Sequence, residues 1–446
     1  MIVNVQLTAS RRSKRGFLIP RIHIPELKVR YDVHLGLKEF LPLGIPDLLG
    51  LDFAYLAGIV YTIDRAIPRG SSTDNWTRVI SVEVPVAQPA SWQHATTELE
   101  QALGFLSGDI WEITFRKTRL ALFKKPAKKR KSFSKQVKPE SFESVCLFSG
   151  GLDSLVGAVD MLHAGKRLIL IGHHDSPGPQ SQQDRLFKAL LPIYGTQAHW
   201  IHARVGPSPR RAPEKTLRTR SLVFMALGVL AARAIGKNSP VFAPENGFIG
   251  INTPLTPSRV GSCSTRTMHP FFLNSLTAAL VHVGIVNKVT NPLELKTKGE
   301  CITQCLNQSV LAETYRNAVS CSHASRRQDW KRKDAKNCGY CVPCLIRRAA
   351  LHKAGWDDGD EYGIDVCKGE LTPDARLRSA EDLRAVLDFL GKKYSNVQIR
   401  QLVVSVAHIP TLSEHTQVVQ RGVAELREWV ASTGTSEMRN AGGILN

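Results

Sequence analysis

The sequence predicts an α/β protein with an open, mostly parallel sheet, preceded by an α+β region and followed by a helical one. From Glu143 onward, short apolar runs alternate with amphipathic segments, as in parallel strands joined by crossover helices. The first of these runs ends in a Gly-rich turn, at the sheet edge where α/β proteins bind ligands. From about residue 370 the pattern becomes that of amphipathic helices alone.

We expect four segments along the chain. Residues 1–122 form an N-terminal α+β domain without a visible catalytic constellation, which we assign to recognition or docking. Residues 123–142 form a basic linker, residues 143–369 the ligand-binding α/β domain, and residues 370–446 the helical region. A chain of 446 residues, 43% of them hydrophobic, is long enough to bury the cores of two or three domains.

Period-two and helical apolar patterns place the individual elements. In the N-terminal domain we expect strands Ile2–Leu7, Val79–Val86 and Ile110–Phe115 and helices Asp52–Ile63 and Trp92–Leu106. In the α/β domain we expect strands Ser144–Phe148, Arg167–Gly172, His199–Val205, Pro240–Ala243 and Asn287–Thr290, with helices Gln182–Leu191, Arg220–Ile235 and Phe271–His282. In the helical region we expect Ser379–Leu390 and Thr416–Ala431.

Composition limits the class of protein. No apolar run approaches the roughly 20 residues that span a bilayer, and the first residues lack the apolar core of a signal peptide, so we expect a cytoplasmic protein without membrane contact. The 59 Lys and Arg residues outnumber the 39 Asp and Glu residues, which gives a net charge of +20. This charge favours anionic partners, among them nucleotides, nucleic acid and acidic protein surfaces.

A basic run, Lys124 to Lys138, marks the predicted linker. Eight of these fifteen residues are Lys or Arg. Such a run is either a solvated linker or a contact for nucleic acid or an acidic partner. No RNA- or DNA-binding motif is recognisable beside it.

The turn Ser149-Gly150-Gly151-Leu152-Asp153-Ser154 has the features of a phosphate-binding loop. It joins a predicted strand to a predicted helix, whose first turn offers unpaired N–H groups and the positive end of the helix dipole. Two glycines let the backbone approach an anion closely, and the serines add hydroxyl groups. The loop lacks the Gly-Lys-Ser/Thr of the P-loop and the GxGxxG of dinucleotide sites. The alternative is an ordinary turn with a helix cap.

A cluster of cysteines predicts a metal site. Cys338, Cys341 and Cys344 form two overlapping CxxC turns, and thiolates at this spacing share one tetrahedral zinc ion. Cys321 is the preferred fourth ligand, which would close a basic loop of sixteen residues. The alternatives for the fourth ligand are Cys301, Cys305 and Cys367. A redox CxxC pair and an iron–sulfur cluster are the other interpretations of the cluster.

The SGGLDS loop and the C-x16-CGxCxxCxxR pattern together resemble the QueC family, the 7-cyano-7-deazaguanine synthases, which are PP-loop ATP pyrophosphatases. The resemblance covers about residues 144–355. Four further stretches match the family's motifs in the expected order: Arg220–Phe224, Glu245–Gly247, Pro292 with Thr297–Glu300, and Cys338–Arg347. After the second strand the family has a Tyr-Gly-Gln-Arg-His type of stretch, and His173 and His174 stand there instead.

This resemblance implies an adenine nucleotide alpha hydrolase-like sheet and cleavage of ATP between the α- and β-phosphates, with Mg²⁺ on the phosphates and Zn²⁺ on the four thiolates. The nucleotide would contact the loop residues Ser149, Gly150, Gly151, Leu152, Asp153 and Ser154, and also His173. Ser149, Asp153, Ser154, Lys298 and Arg220 would carry the chemistry. In the family a carboxylate is adenylated and then attacked by ammonia.

The whole chain is longer than an ordinary QueC and resembles the QueC-like proteins of bacterial anti-phage operons, the QatC group in particular. That resemblance implies a carboxylate–amine ligase with partner proteins from the same operon, and a deazaguanine-type acid transferred to an amine of a partner protein. Two other functions stay open. One is a PP-loop enzyme that modifies tRNA or DNA, which the charge favours; the other is a nucleotide-binding scaffold without activity.

Overall fold

The structure, a computed structural model, describes residues 1–8, 16–124, 137–175, 177–254, 266–324 and 326–444. Most of the predicted basic linker, residues 125–136, lies outside the described residues. Among the described residues, no helix combines the length and the apolar character that a membrane crossing requires.

Within the described residues, a ten-stranded sheet forms the centre of the molecule, in the order β10-β9-β6-β7-β8-β3-β2-β1-β4-β5. Its strands are β1 (Ile2–Thr8), β2 (Ile19–Ile24), β3 (Val29–Leu35), β4 (Val79–Val86), β5 (Ile110–Lys117), β6 (Ser144–Leu147), β7 (Leu168–His174), β8 (Ala198–Ser208), β9 (Val241–Phe242) and β10 (Val289–Thr290). The strands β6 to β10 are mutually parallel, as are β1, β4 and β5. The predicted α/β class with a mostly parallel sheet is confirmed.

Helices cover the sheet and build the C-terminal region. They are α1 (Leu48–Ala66), α2 (Pro89–Gln93), α3 (Thr96–Ser107), α4 (Leu152–His163), α5 (Pro177–Tyr194), α6 (Arg220–Ile235), α7 (Gly247–Ile251), α8 (Pro270–Val283), α9 (Lys298–Thr303), α10 (Gln308–Thr314), α11 (Val342–Lys353), α12 (Glu381–Gly391), α13 (Asn396–Val404), α14 (Leu412–Thr433) and α15 (Ser436–Ala441).

The central strands β6 and β7 are buried along their whole length, which explains their continuous apolar sequences. Alternate residues of each strand enter different cores. Val145 and Ile169 pack with α6, whereas Cys146 and Leu170 pack with α4 and α5. The sheet is therefore covered on both faces here, and its carboxyl-end edge is where a ligand has access.

The sequence did not predict β2 and β3. Each pairs antiparallel with its neighbour, and their outward positions carry charges such as Arg21, Arg30 and Asp32. The predicted helix Trp92–Leu106 is wrong in one respect, because it is divided into α2 and α3. The Thr96 hydroxyl donates to the Gln93 carbonyl (3.1 Å) at this break, where a side-chain hydrogen bond competes with the helical pattern.

The strand β3 joins the N-terminal strands to those of the α/β domain. It pairs antiparallel with β8, from Leu35 opposite Val205 to Asp32 opposite Ser208. The long helix α1 packs beside this junction, and a Cβ at Gly58 would lie 2.6 Å from Leu35 Cδ2, so only glycine allows the close approach. The sheet therefore runs across the predicted domain boundary.

The C-terminal helices form a second core around the predicted metal site. Helix α14 packs against α11, α13 and α7, and its buried face includes Val418, Val419, Leu426 and Trp429. The same helix reaches the segment 294–300, which precedes and begins α9. The helical C-terminal region, predicted from its periodicity, therefore lies against the α/β domain.

Candidate nucleotide-binding site and metal centre

The Gly-rich turn lies at the carboxyl end of β6 and begins helix α4. Gly150 has φ +87°, a left-handed conformation that favours glycine, and Gly151 is the N-cap of the helix. The Ser154 hydroxyl donates to the Gly151 carbonyl (2.9 Å), and the Ser149 hydroxyl donates to Ser154 Oγ (3.2 Å). The two serines are therefore held together over the first helical turn, where an anion is stabilised by the helix dipole.

Two glutamines of α5, which the sequence did not single out, hold this turn in place. Gln182 Nε2 donates to the carbonyls of Gly150 (2.7 Å) and Val319 (3.2 Å). Gln183 Nε2 donates to the carbonyls of Ser149 (3.0 Å) and His173 (3.2 Å). These bonds take up backbone carbonyl oxygens of the turn, whereas its backbone N–H groups at Gly151 and Leu152 donate to the hydroxyls of Ser149 (3.3 Å) and Ser320 (3.2 Å).

Asp153 and Lys298, two of the residues predicted to carry the chemistry, form an ion pair beside the turn. Lys298 Nζ donates to Asp153 Oδ1 (2.5 Å), and the ammonium group is buried. The other oxygen of Asp153 accepts from the side-chain amide of Asn246 (2.8 Å). Asp153 therefore orients a cation and an amide, and a divalent metal would compete with both for its oxygens.

Glu245 is a further acidic group at this edge of the sheet. Its side-chain atom Oε1 is buried without a hydrogen-bond partner among the described residues. Burial and the nearby Asp153 carboxylate raise the pKa of Glu245 to about 8, against the opposing influence of Lys298. At neutral pH the folded protein therefore keeps this carboxyl group mostly protonated.

His173 and Arg220 lie together at the ends of β7 and α6. His173 Nε2 donates to the Val205 carbonyl (2.9 Å), and His173 Nδ1 accepts from Arg220 Nε (3.3 Å). Burial and the Arg220 guanidinium lower the pKa of His173 to about 3, so the ring is neutral. The protein engages both ring nitrogens, and a nucleotide contact of His173 stays a prediction.

The second histidine, His174, points to the opposite face of the sheet. Its ring stacks on His202 of β8, with centroids 5.5 Å apart. Burial and the neighbouring His202 lower its pKa to about 4. The two adjacent histidines therefore have separate environments, as alternation along a strand requires.

Helix α1 of the N-terminal region contributes side chains beside Arg220. The Tyr61 hydroxyl donates to Asp175 Oδ2 (2.6 Å), and Arg65 Nη1 forms an ion pair with the same oxygen (3.2 Å). Asp175 directly follows His174, and despite its burial the Tyr61 hydrogen bond and then the Arg220 charge keep the pKa of Asp175 low. No local sequence pattern pointed to these residues, because 110 or more positions separate the partners.

A buried ionic network fixes the residues that lead into α6. Arg78 pairs with Asp64 and Asp109 (2.6 Å each), and all three side chains are inaccessible to solvent. Asp64 also accepts from the Thr219 hydroxyl (2.8 Å) and backbone N–H (3.2 Å). Thr219 directly precedes Arg220, the first residue of α6. Its bonds to Asp64 therefore attach the start of α6 to the N-terminal region.

The four predicted metal ligands lie together. The sulfur atoms of Cys321, Cys338, Cys341 and Cys344 are all within 4.8 Å of one another. The Sγ atoms of Cys338 and Cys344 are 3.7 Å apart, and those of Cys321 and Cys341 are 4.0 Å apart. The alternative ligands lie elsewhere: Cys301 and Cys305 pack in the core with α4, and Cys367 contacts Thr433.

This geometry suits a tetrahedral zinc ion. Zinc binds thiolates at about 2.3 Å, which places the sulfurs of a tetrahedron roughly 3.8 Å apart. Backbone N–H groups point at the sulfurs, among them those of Cys338 to Cys321 Sγ (3.3 Å) and of Cys341 to Cys338 Sγ (3.2 Å). These donors stabilise thiolate charge. Four thiolates close the coordination sphere, so the cluster could hold a structural metal ion.

Comparison with known proteins points to one relative by sequence. Over 243 residues the chain is 25% identical to the 7-cyano-7-deazaguanine synthase of Novosphingobium aromaticivorans, a span of 50% of this chain and 96% of that protein. No protein-family model matches the chain. No solved structure matches it either. The similarity supports a QueC-like relationship for about half of the chain and leaves the other half without a counterpart in that protein.

Proposed function

We propose that this protein is a QueC-like ATP pyrophosphatase that adenylates a carboxylic acid and passes the acyl group to a nitrogen nucleophile. The observation that carries the proposal is the turn Ser149–Ser154 at the start of α4, with the buried Asp153–Lys298 pair beside it. The turn has no Lys of its own for a γ-phosphate, and the similarity to 7-cyano-7-deazaguanine synthase supports the same class of chemistry.

In the first step, a carboxylate oxygen of the acid attacks the α-phosphorus of Mg²⁺-bound ATP. The bond from this phosphorus to the bridging oxygen breaks, and pyrophosphate leaves with the electron pair. We assign the stabilisation of the phosphate oxygens to the first turn of α4 and to the hydroxyls of Ser149 and Ser154, which the hydrogen bond between the two serines supports. Lys298 and Arg220 are the cations assigned to phosphate or substrate carboxylate.

In the second step, an amine attacks the acyl-adenylate. An amide bond forms, AMP leaves, and the nitrogen releases a proton. We propose a deazaguanine-type acid because the relative is named for a deazaguanine product. We propose an amine of a partner protein as acceptor because half of this chain lies outside the similarity and offers room for macromolecular contacts.

The biological setting that we propose is bacterial anti-phage defence in the cytoplasm, together with partner proteins of the same operon. Its support is the resemblance of the long architecture to the QueC-like proteins of such operons. Zinc is proposed as a structural ion on the four cysteines, where it would hold the chain segments of the cluster together.

Pyrophosphate release tests the proposal. The purified protein is incubated with Mg²⁺–ATP, a panel of deazaguanine carboxylic acids and each candidate partner protein, and the mass of each partner is measured. We expect acid-dependent pyrophosphate release and a partner that gains the mass of the acid minus water. The variants S149A and D153A should lose roughly 100-fold or more in rate. Parental rates in both variants would contradict the assignment of the turn.

A second candidate, a PP-loop enzyme that modifies tRNA or DNA, is favoured by the net charge of +20 and by the basic run Lys124 to Lys138. This function predicts tight binding to tRNA or DNA, with an affinity that falls steeply as the salt concentration rises. Binding of this kind, together with unchanged masses of all partner proteins, would favour the nucleic acid over a protein as acceptor.

A further inference from the structure

The C-terminal helix α14 contacts both chain neighbours of Lys298. Thr297, the N-cap of α9, donates its hydroxyl to Glu425 Oε1 (2.5 Å). The backbone N–H of Gly299 donates to Glu425 Oε2 (3.2 Å). One carboxylate of α14 therefore binds the residues on either side of the lysine that pairs with Asp153.

The side chain of Glu425 is buried in this contact and has a balancing charge. Its side chain is 6% exposed, and its charge is balanced by Lys353 of α11, whose Nζ lies 2.9 Å from Oε1. A Cβ on Gly299 would lie 2.5 Å from Glu425 Oε1, so the glycine is what allows the carboxylate to reach the backbone. A buried carboxylate with three donors is oriented rigidly.

Arg421, one turn earlier on α14, adds a second point of attachment. Its Nε pairs with Glu300 Oε1 (2.6 Å), and its Nη2 donates to the Leu295 carbonyl (2.9 Å). Glu300 also completes the capping box of α9 with Thr297. Helix α14 thus holds the segment from Leu295 to Glu300 at several points, with Lys298 in its middle.

We propose that Glu425 is a positioning residue, through which the C-terminal helical region sets the place of Lys298 beside the Gly-rich turn. Glu425 reaches the site through Thr297 and Gly299, and the cation that meets phosphate is Lys298. The catalytic part of this inference rests on the proposed function. The structural part, that Glu425 holds Lys298 at Asp153, does not.

The test compares E425Q with E428Q. Glu428 is exposed on the same helix, so E428Q controls for the loss of one negative charge on α14. We expect E425Q to lower kcat for pyrophosphate release roughly tenfold to 100-fold with a smaller change in KM for ATP, since slight misplacement of a catalytic group costs this much. The control E428Q should keep parental kinetics.

Chemical labelling of Lys298 tests the structural part of the proposal without relying on enzyme activity. Lys298 is 1% exposed in its side chain, so acylation of its amine by a soluble ester should be slow in the parent. Peptide mass spectrometry should show faster labelling of Lys298 in E425Q than in E428Q, under conditions where circular dichroism shows both proteins folded. Parental labelling and parental kcat in E425Q would overturn the proposal.

Two outcomes remain to be distinguished. Faster labelling of Lys298 in E425Q, without pyrophosphate release from the parent, would support the positioning role and reject the proposed function.

If E425Q does not fold, the variant E425D replaces it in both measurements. Aspartate keeps the negative charge, but its shorter side chain places the carboxylate oxygens farther from Thr297 and Gly299 by about one carbon–carbon bond. Unchanged labelling and kcat in folded E425D would then overturn the proposal.

Discussion

The hydroxyl of Ser320 accepts a hydrogen bond from the backbone N–H of Leu152 at 3.2 Å. Leu152 is the first residue of α4, and Ser320 directly precedes the metal-cluster residue Cys321. The neighbouring Val319 N–H donates to the Gly150 carbonyl (3.0 Å), so two consecutive residues contact the Gly-rich turn. The segment that the cysteines hold therefore forms one wall of the candidate nucleotide site.

Replacement of Ser320 tests this wall. The variant S320A removes a hydrogen bond that fixes the start of α4. We expect a roughly threefold to tenfold weaker binding of ATP, because a turn that is no longer held in place loses about 1 kcal/mol of preorganisation. Isothermal titration with Mg²⁺–ATP measures it. The variant S320T keeps a hydroxyl and should bind within about twofold of the parent. Equal binding by S320A and the parent would show that the contact does not shape the site.

Metal content tests the cysteine cluster. We expect about one zinc per chain by elemental analysis of the parent and less than half of that in C341S, because three thiolates bind the ion more weakly than four. The melting temperature of C341S should fall as well, and a chelator should lower that of the parent.

The control for this prediction is C367S, which alters a half-buried cysteine that lies outside the cluster and contacts Thr433. It should retain full zinc. Parent protein purified without stoichiometric metal, or with iron and sulfide in its place, would reject the structural zinc site.

Stability should depend on pH through Glu245. The pKa of its carboxyl group is about 8 in the folded protein and near its usual 4.5 when unfolded. Between these values the folded state keeps a proton that the unfolded state has released, so the free energy of unfolding falls as pH rises. The variant E245Q has no such proton. Urea unfolding at pH 5.5, 7 and 8.5 measures the free energy of unfolding of both proteins. The value for E245Q minus that for the parent should increase from pH 5.5 to 7 and again from pH 7 to 8.5.

The exposed Glu143 supplies the comparison for this experiment, since E143Q should follow the parent at all three pH values. The slope for one proton is limited to about 1.4 kcal/mol per pH unit. A constant difference between E245Q and the parent would mean that Glu245 is already ionised in the folded protein at pH 5.5.

The network around Arg78 should be costly to break. The variant R78M leaves the buried carboxylates of Asp64 and Asp109 without their main partner, and we expect a loss of about 3–5 kcal/mol in the free energy of unfolding. Urea denaturation measures this loss. The exposed pair of Arg21 and Asp32 gives the matched control, and R21Q should leave the unfolding midpoint almost unchanged. Similar midpoints for both variants would contradict a structural role of the network.

Local patterns predicted much of the fold. Helix α6 begins at Arg220 and ends at Ile235, as expected, because its apolar run is long and ends before Gly236. The Gly-rich turn and the CxxC pair were visible because their residues are adjacent in sequence. By contrast, β2 and β3 are short and only partly buried, and Arg21, Arg30 and Asp32 interrupt their apolar residues, so their apolar signal is weak.

The contacts that complete the site had no local signal. Glu425 meets Thr297 across 128 positions, and Ser320 meets Leu152 across 168. Neither Glu425 nor Ser320 belongs to a recognisable sequence motif. The packing of helices against the sheet is what brings each of them to its partner. The sequence predicted the residues of the Gly-rich turn, Lys298 and the cysteines, whereas the residues that hold them in place became visible from tertiary contacts.

The pairing of β3 with β8 makes the sheet a second connection between the N-terminal region and the rest of the molecule, independent of the covalent chain. Protein cut once between Lys124 and Val137 should therefore stay associated, and two separately produced fragments should reassemble. A fragment that begins at Val137 would instead present the backbone of β8 as a bare edge, open to pairing with other copies. In the intact protein β3 covers this edge of β8, so we expect the N-terminal region to keep it from pairing with other copies.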